Sequence, residues 1–331
     1  MSVDLVHGGA LDRVAQQFPN APQPWIDLST GINPWPWPVD TVDTHCLHHL
    51  PTRDEMDRCR EAMAQAFRAP ANALTLVPGS EVAIRLLPQV IAAKRVAILA
   101  PSYGDHRDTW QAAGVELIAT DDPLSYVDSA DVIVVCNPNN PDGRVFAPDL
   151  LREVADKLAR RGGWLVVDEA YADLDPSISL ASAAGSTGLI VLRSTGKFFG
   201  LAGLRLGAVL APADVNAELD RLLGVWRVSG TALSIGTMVY ADTDWQRSTR
   251  LRLAAARDRL DTLLTRQGFP VTGGTDLFRY VRTHEANATW RSLCEHGIYT
   301  RRFVYSNTQL RLGLPASADA EERLADALQT I

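Results

Sequence analysis

The sequence predicts an α/β protein, with a mostly parallel central sheet flanked by helices and a smaller α+β domain. Three observations carry this. Short apolar, β-rich runs alternate with longer helical patterns through the first two-thirds of the chain, the pattern of a parallel sheet covered on both faces. Runs such as Val132–Val135 and Trp164–Val167 are continuously apolar, as strands buried on both sides are. After about Pro212 the order changes to long helices and then to an alternation of single strands and helices.

Taken in order, the N-terminal segment carries Pro19, Pro22, Pro24, Pro34, Pro36 and Pro38. It is expected to form no regular structure of its own and to lie as an arm across the mouth of a site. Strands are expected at Leu74–Val77, Arg95–Ala100, Val115–Ala119, Asp131–Cys136, Trp164–Asp168, Leu189–Arg193 and Leu204–Leu210. Helices fall between them at Glu81–Ala93 and Pro148–Arg161. Two long helices follow, near Ala213–Leu223 and Trp245–Gln267. Then come a strand at Leu277–Arg282, a helix at Ala286–His296, a strand near Gln309–Leu312 and a last helix from Ala318. The division reads as a large domain over 35–212, with the arm (1–34) and a small domain (213–331) completing the chain.

With 46% hydrophobic and 21% charged residues, the 331-residue chain has an ordinary globular composition. Its formal charge of −7 and the lack of a dense Lys/Arg tract argue against a nucleic-acid surface. An anionic substrate therefore needs a locally basic pocket. The four cysteines have no CxxC spacing, so neither a zinc site nor a disulfide framework is expected, and no metal. No basic n-region with an apolar core opens the chain, and no apolar run approaches the ~18 residues of a membrane span. The expected setting is cytoplasmic, with reduced thiols.

Four motifs carry chemistry. In RSTGKFFGLAGLRLG (193–207), Lys197 follows a strand in a turn rich in small residues, so it projects into the crevice where open α/β sheets bind ligands. Partial desolvation near Arg205 favours it as an amine nucleophile, and a solvated loop lysine is the plain alternative. In VVDEAY (166–171), two acids end an apolar strand and each needs a partner when buried. A cationic ring nitrogen suits Asp168. A Mg²⁺-binding acid would need a GxxxxGK[ST] loop, which the chain lacks. CNPNNPDG (136–143) is a tight turn that also aims the Asn140 amide at a ring oxygen. VPGSE (77–81) opens a helix at Gly79 and Ser80, where free N–H groups suit a phosphate, although Ser is also a routine N-cap. Tyr103 in PSYGDH can stack on an aromatic cofactor, with a core or surface tyrosine the plain alternative.

In this order, PGSE, PSY, NPNNPDG, DEAY and STGK…R resemble the fold-type-I aminotransferases that use pyridoxal 5′-phosphate (PLP), in their histidinol-phosphate aminotransferase-like branch. The resemblance implies that Lys197 is the Schiff-base lysine, Asp168 pairs with the pyridine nitrogen, Asn140 and Tyr171 hold the ring hydroxyl, and Tyr103 stacks on the ring. It assigns the cofactor phosphate to Gly79, Ser80, Ser194 and Arg205, with Glu81 beside them, and a substrate carboxylate to Arg311. His7–Gly9, Ser29–Pro34, Thr300–Phe303 and Arg311–Pro315 are similar to the threonine-phosphate decarboxylases of cobalamin biosynthesis. That similarity implies decarboxylation of L-threonine O-3-phosphate to (R)-1-amino-2-propanol O-2-phosphate in a homodimer. Substrate contacts would come from His7, Gly31, Asn33, Asn140, Arg301, Arg302 and Arg311. Solvated strand-edge arginines and a histidine in an ordered arm are the plain alternatives. A true aminotransferase acting on histidinol phosphate would use the same cofactor residues, and a non-catalytic effector-binding protein the same fold. Related aminotransferases carry Tyr-Pro-Asp, whose Tyr reaches the partner subunit's cofactor phosphate, where this chain has Leu50-Pro51-Thr52.

Overall fold

A computed structural model describes residues 8–39 and 44–331. It divides into two compact units, one comprising the chain through Pro36 with Pro141–Gly143 and Arg247–Ile331, the other Trp37–Asn140 with Arg144–Gln246.

The chain begins with α1 (Leu11–Gln17) and β1 (Ile26–Leu28). The larger unit then builds α2 (Arg53–Phe67), β2 (Leu74–Val77), α3 (Ser80–Val90), β3 (Arg95–Leu99), α4 (Gly104–Ala112) and β4 (Glu116–Thr120). It continues with β5 (Val132–Cys136), α5 (Pro148–Ala159), β6 (Trp164–Asp168), β7 (Leu189–Ser194), β8 (Gly207–Leu210), α6 (Ala213–Leu223) and α7 (Gly230–Ala241). After α8 (Thr243–Arg266) come β9 (Val271–Thr275), β10 (Phe278–Arg282), α9 (Ala286–Glu295), β11 (Ile298–Phe303), β12 (Ser306–Gly313) and α10 (Ala318–Gln329).

The larger unit's seven-stranded sheet runs β2-β8-β7-β6-β5-β3-β4. Only β8 is reversed, pairing antiparallel with both β2 and β7. Its strands are buried along their whole length in β5 and β7, which is why they read as apolar runs. Helices cover the sheet through spaced apolar stripes. In α5 the buried residues are Leu151, Val154, Ala155 and Leu158, the i, i+3, i+4, i+7 pattern of one helix face. Ile84 and Leu87 of α3 and Trp110 of α4 join Val132, Val166 and Ile190 in one core. The smaller unit has a five-stranded sheet ordered β1-β11-β12-β10-β9, with β1 parallel to β11 and the other pairs antiparallel.

Four expectations need correction. The proline-rich arm does form regular structure: Ile26 pairs with Ile298 and Leu28 with Thr300, because its prolines fall outside the paired residues. The strand expected from Leu204 begins at Gly207, since Ala202–Leu204 make a 3₁₀ turn and Arg205 takes left-handed backbone (φ 51°). Helix α7 was not anticipated. It is apolar nearly all round, burying Ala232, Leu233, Ile235, Val239 and Tyr240, and so shows no stripe to read. The division falls at 246/247 rather than 212/213. Helix α6 places Val215 and Leu219 in the larger core, and Gly236 of α7 lies so close to Leu206 and Cys59 that a Cβ there would stand 2.4 Å from Leu206 Cδ2.

Candidate active site

The carboxyl ends of β2, β5, β6 and β7 converge on one cavity in the larger unit, and all ten residues assigned to the cofactor line it. At its anion end, β2 turns into α3 through Gly79, whose φ of +90° favours glycine. A Cβ on Gly79 would stand 2.8 Å from Arg205 Nη2, and one on Gly207 2.8 Å from the Ser80 nitrogen. The cradle is thus shaped by missing side chains around a helix N-terminus and a guanidinium, which is chemistry for a phosphate. Glu81 lies 3.6 Å from Arg205 Nη2 and bonds Arg85. Its carboxylate therefore tethers arginines, leaving its backbone N–H as the group suited to an anion.

At the other end, Asp168 closes β6 and is buried. Its Oδ1 accepts from the Ala170 N–H at 3.1 Å. Its Oδ2 lies 2.9 Å from His106 Nε2 and 4.0 Å from Cys136 Sγ. His106 is fully enclosed. Burial opposes its charge, but the bonds to Asp168 and Cys136 outweigh this and push its pKa up to about 10. Asp168 therefore faces an imidazolium on one side while it lines the cavity on the other. Among the described residues this is the one grouping whose donor atoms converge to within 4.8 Å, as metal ligands would. Three residues before His106, Tyr103 at the start of α4 donates its hydroxyl to Asp105 at 2.5 Å. Burial and that carboxylate raise its pKa, so the hydroxyl keeps its proton and the ring stays edge-on to His106.

Of the three asparagines in CNPNNPDG, two are structural. Asn137 exchanges bonds with the Phe146 backbone, and Asn139 accepts from Ser102 and donates to the Pro101 carbonyl. Asn140 lines the cavity, as does Tyr171. At the end of β7, Ser194 accepts from the Gly196 N–H at 3.3 Å, and Lys197 reaches the same cavity. A cradle for phosphate, a buried carboxylate for a ring nitrogen and a lysine between them fit PLP.

The sequence profile of the aminotransferase class I and II family matches residues 25–330. The chain belongs to that family. Its fold is fold type I of PLP-dependent enzymes. A threonine-phosphate decarboxylase of Sinorhizobium sp. is 41% identical over 99% of this chain and 98% of its own length. One from Pseudomonas aeruginosa is 42% identical over 98% and 97%. Among solved structures, histidinol-phosphate aminotransferase from Sinorhizobium meliloti in complex with pyridoxal 5′-phosphate superposes with a TM-score of 0.82 at 19% identity, covering 96% of this chain and 93% of that one. L-threonine-O-3-phosphate decarboxylase from Porphyromonas gingivalis gives 0.75 at 20%, covering 92% and 98%.

His7 lies outside the described residues; the other residues assigned to substrate, apart from Asn140, belong to the smaller unit. Three motifs far apart in sequence meet there around Ser29 and Thr30. The Gly9 N–H donates to Ser29 Oγ at 2.8 Å, and a Cβ on Gly8 would stand 2.4 Å from the Ser29 carbonyl. Arg311 Nη2 donates to that same carbonyl at 2.6 Å, and Gly313 packs against the Thr30 carbonyl. Gly31 and Asn33 are buried, and Asn33 Oδ1 accepts from the Trp35 N–H. Strand register separates the two arginines of TRRF. Arg301 stands directly opposite Arg311 on β12, which in turn faces Tyr280 on β10, so these three share one sheet face. Arg302 points to the other face, over the Trp290 ring at 4.4 Å, and donates to Asn287 Oδ1 at 3.0 Å. It is a packing residue of α9.

Sequence reasoning missed His106, three residues after Tyr103, and left the second acid of DEAY without its partner, Arg193. The signal for both was present: a buried carboxylate requires a counter-charge. Thr52, at the Leu50-Pro51-Thr52 departure, caps α2: its Oγ accepts from the Glu55 N–H, and Glu55 accepts from the Thr52 N–H. Leu50 is exposed.

Proposed function

We propose that this chain is a PLP-dependent decarboxylase of L-threonine O-3-phosphate, releasing CO₂ and (R)-1-amino-2-propanol O-2-phosphate. The observation that carries this reading is the full-length similarity to two threonine-phosphate decarboxylases at 41% and 42% identity. The paired guanidiniums of Arg301 and Arg311 add support, because the substrate brings a phosphate as well as a carboxylate. PLP, when bound, supplies the electron sink. Gly79, Ser80, Ser194 and Arg205 hold its phosphate. Asp168, backed by His106, keeps the ring nitrogen protonated, while Asn140 and Tyr171 donate to the ring oxygen. Lys197 would anchor the cofactor and, with its amine free, would be the proton donor at Cα. Arg311 takes the carboxylate and Arg301 the phosphate, and this orientation selects which bond at Cα breaks. Arg302, on the opposite sheet face, packs on Trp290 and donates to Asn287.

The enzyme is further proposed to act as a cytoplasmic homodimer. Among the described residues no helix is long and apolar enough to cross a membrane, and Leu47, Leu50, Val225 and Trp226 of the larger unit are apolar and exposed. Light scattering of purified protein at twice the 36.1 kDa chain mass is the expected result. For the reaction itself, the test is CO₂ and amine release from L-threonine O-3-phosphate with PLP, beside a reaction containing histidinol phosphate and 2-oxoglutarate. CO₂ release lost in Lys197→Ala establishes the decarboxylase. Glutamate formed without CO₂ would make the chain an aminotransferase, and no turnover or PLP capture at all would favour an effector-binding protein.

A further inference from the structure

The second acid of DEAY has no part in the reaction above, yet it anchors a buried ion cluster. Glu169 is 0% exposed, Arg193 2% and Asp173 6%. Arg193 Nη1 donates to Glu169 Oε2 at 2.8 Å and Nη2 donates to Asp173. Glu169 also accepts from the Leu180 N–H at 2.6 Å and from Ser179 Oγ at 2.5 Å. Burial raises the Glu169 carboxyl, but a guanidinium and two further donors are a set that only the carboxylate accepts in full. The Arg193 guanidinium also lies 4.2 Å over the Phe67 ring. Apolar replacements of such clusters are often neutral or stabilising, so stability alone does not explain this one.

Its place in the fold does. Neighbouring residues on a strand face opposite ways. Asp168 and Ser194 line the cavity, so Glu169 and Arg193 face away behind them. The regular β6–β7 pairing ends at Asp168 and Leu192, and beyond that point Glu169 and Arg193 join the strand ends by side chains. Two residues after Arg193, Thr195 Oγ1 bonds the Tyr240 hydroxyl at 3.0 Å, holding the turn that presents Lys197 from the same hidden side.

We propose that the Glu169–Arg193–Asp173 triad is a positioning element that sets the distance and angle between Asp168 and Lys197. This rests on the cavity being the PLP site. The test uses holoenzyme carrying Glu169→Gln, Arg193→Lys, or the neutral set Glu169→Gln/Arg193→Met/Asp173→Asn, with the remote core variant Leu87→Ala as the stability control. The readouts are melting temperature, PLP affinity by equilibrium dialysis, and the pH midpoint of the protein-bound PLP absorbance band, which reports the Lys197 linkage. The triad variants are expected to shift that midpoint and to lower kcat by on the order of 10- to 100-fold with little change in KM, with Arg193→Lys the mildest. Leu87→Ala is expected to lower the melting temperature alone. Triad variants that melt earlier but keep wild-type PLP affinity and midpoint would overturn the proposal, as would a neutral triple variant indistinguishable from wild type. Failure of the wild-type protein to bind PLP would overturn the site reading instead, and the triad's role with it.

Discussion

The two units hold their functional side chains in different ways. In the larger unit five cavity residues sit at the carboxyl end of a strand or in the turn that follows: Gly79 after β2, Asn140 after β5, Asp168 on β6, Ser194 and Lys197 at β7. The smaller unit draws on Gly9, Ser29, Arg301 and Arg311, which strand pairing and side-chain hydrogen bonds bring together from distant parts of the sequence. A strand–turn–helix corner writes its ligand into a short contiguous motif. A sheet face writes its ligand into register, which no single stretch of sequence displays.

The largest effect that would sharpen this contrast is at Lys197. Lys197→Ala should lower turnover by at least about 10²- to 10⁴-fold, the range of a lost proton-transfer group, while Tyr280 and the smaller unit are untouched. Borohydride reduction in the presence of PLP, read by mass spectrometry, should label Lys197 in wild type only. Next is Arg311, buried and bonded to the Ser29 carbonyl. Arg311→Ala should cost about 2–5 kcal/mol of substrate binding, measured as a rise in KM, and Arg311→Lys should not restore it because the fork geometry is lost.

The register argument breaks or stands on the adjacent arginines. Arg301→Gln should weaken L-threonine O-3-phosphate binding by about 1.5–3 kcal/mol, whereas Arg302→Gln should lower the melting temperature and leave KM unchanged. The reverse result would mean that β11 presents the other face to substrate. A smaller effect concerns pH. His106 has a folded pKa of about 10 against an ordinary 6.5. Its contribution to stability is therefore complete below about pH 6.5 and disappears as pH rises through 10. Wild type should lose melting temperature across that window more steeply than His106→Phe. Smallest is the cap of α2: Thr52→Ala should cost about 1 kcal/mol in a denaturant titration and leave PLP binding alone.

How much was legible follows the same divide. Strands β2 and β6 were bounded to the residue, because Pro78-Gly79 ends the one and Gly162-Gly163 opens the other. Helix α7 was invisible because burial on nearly all sides erases the period that reveals a helix. The ten cavity residues were readable as motifs. His106 and Arg193 were not, since each matters through a carboxylate that is close in space and distant in sequence. Arg301 and Arg302 were indistinguishable as letters, and only the pairing of Arg301 with Arg311 tells them apart.

That pairing has a consequence for handling the protein. Two arginines on one sheet face suit an oxyanion, and any oxyanion bound there favours the folded state by mass action. Sulfate or inorganic phosphate in the buffer should therefore raise the melting temperature and compete with substrate. Preparations made in phosphate would show an inflated apparent KM that falls on exchange into an organic zwitterionic buffer.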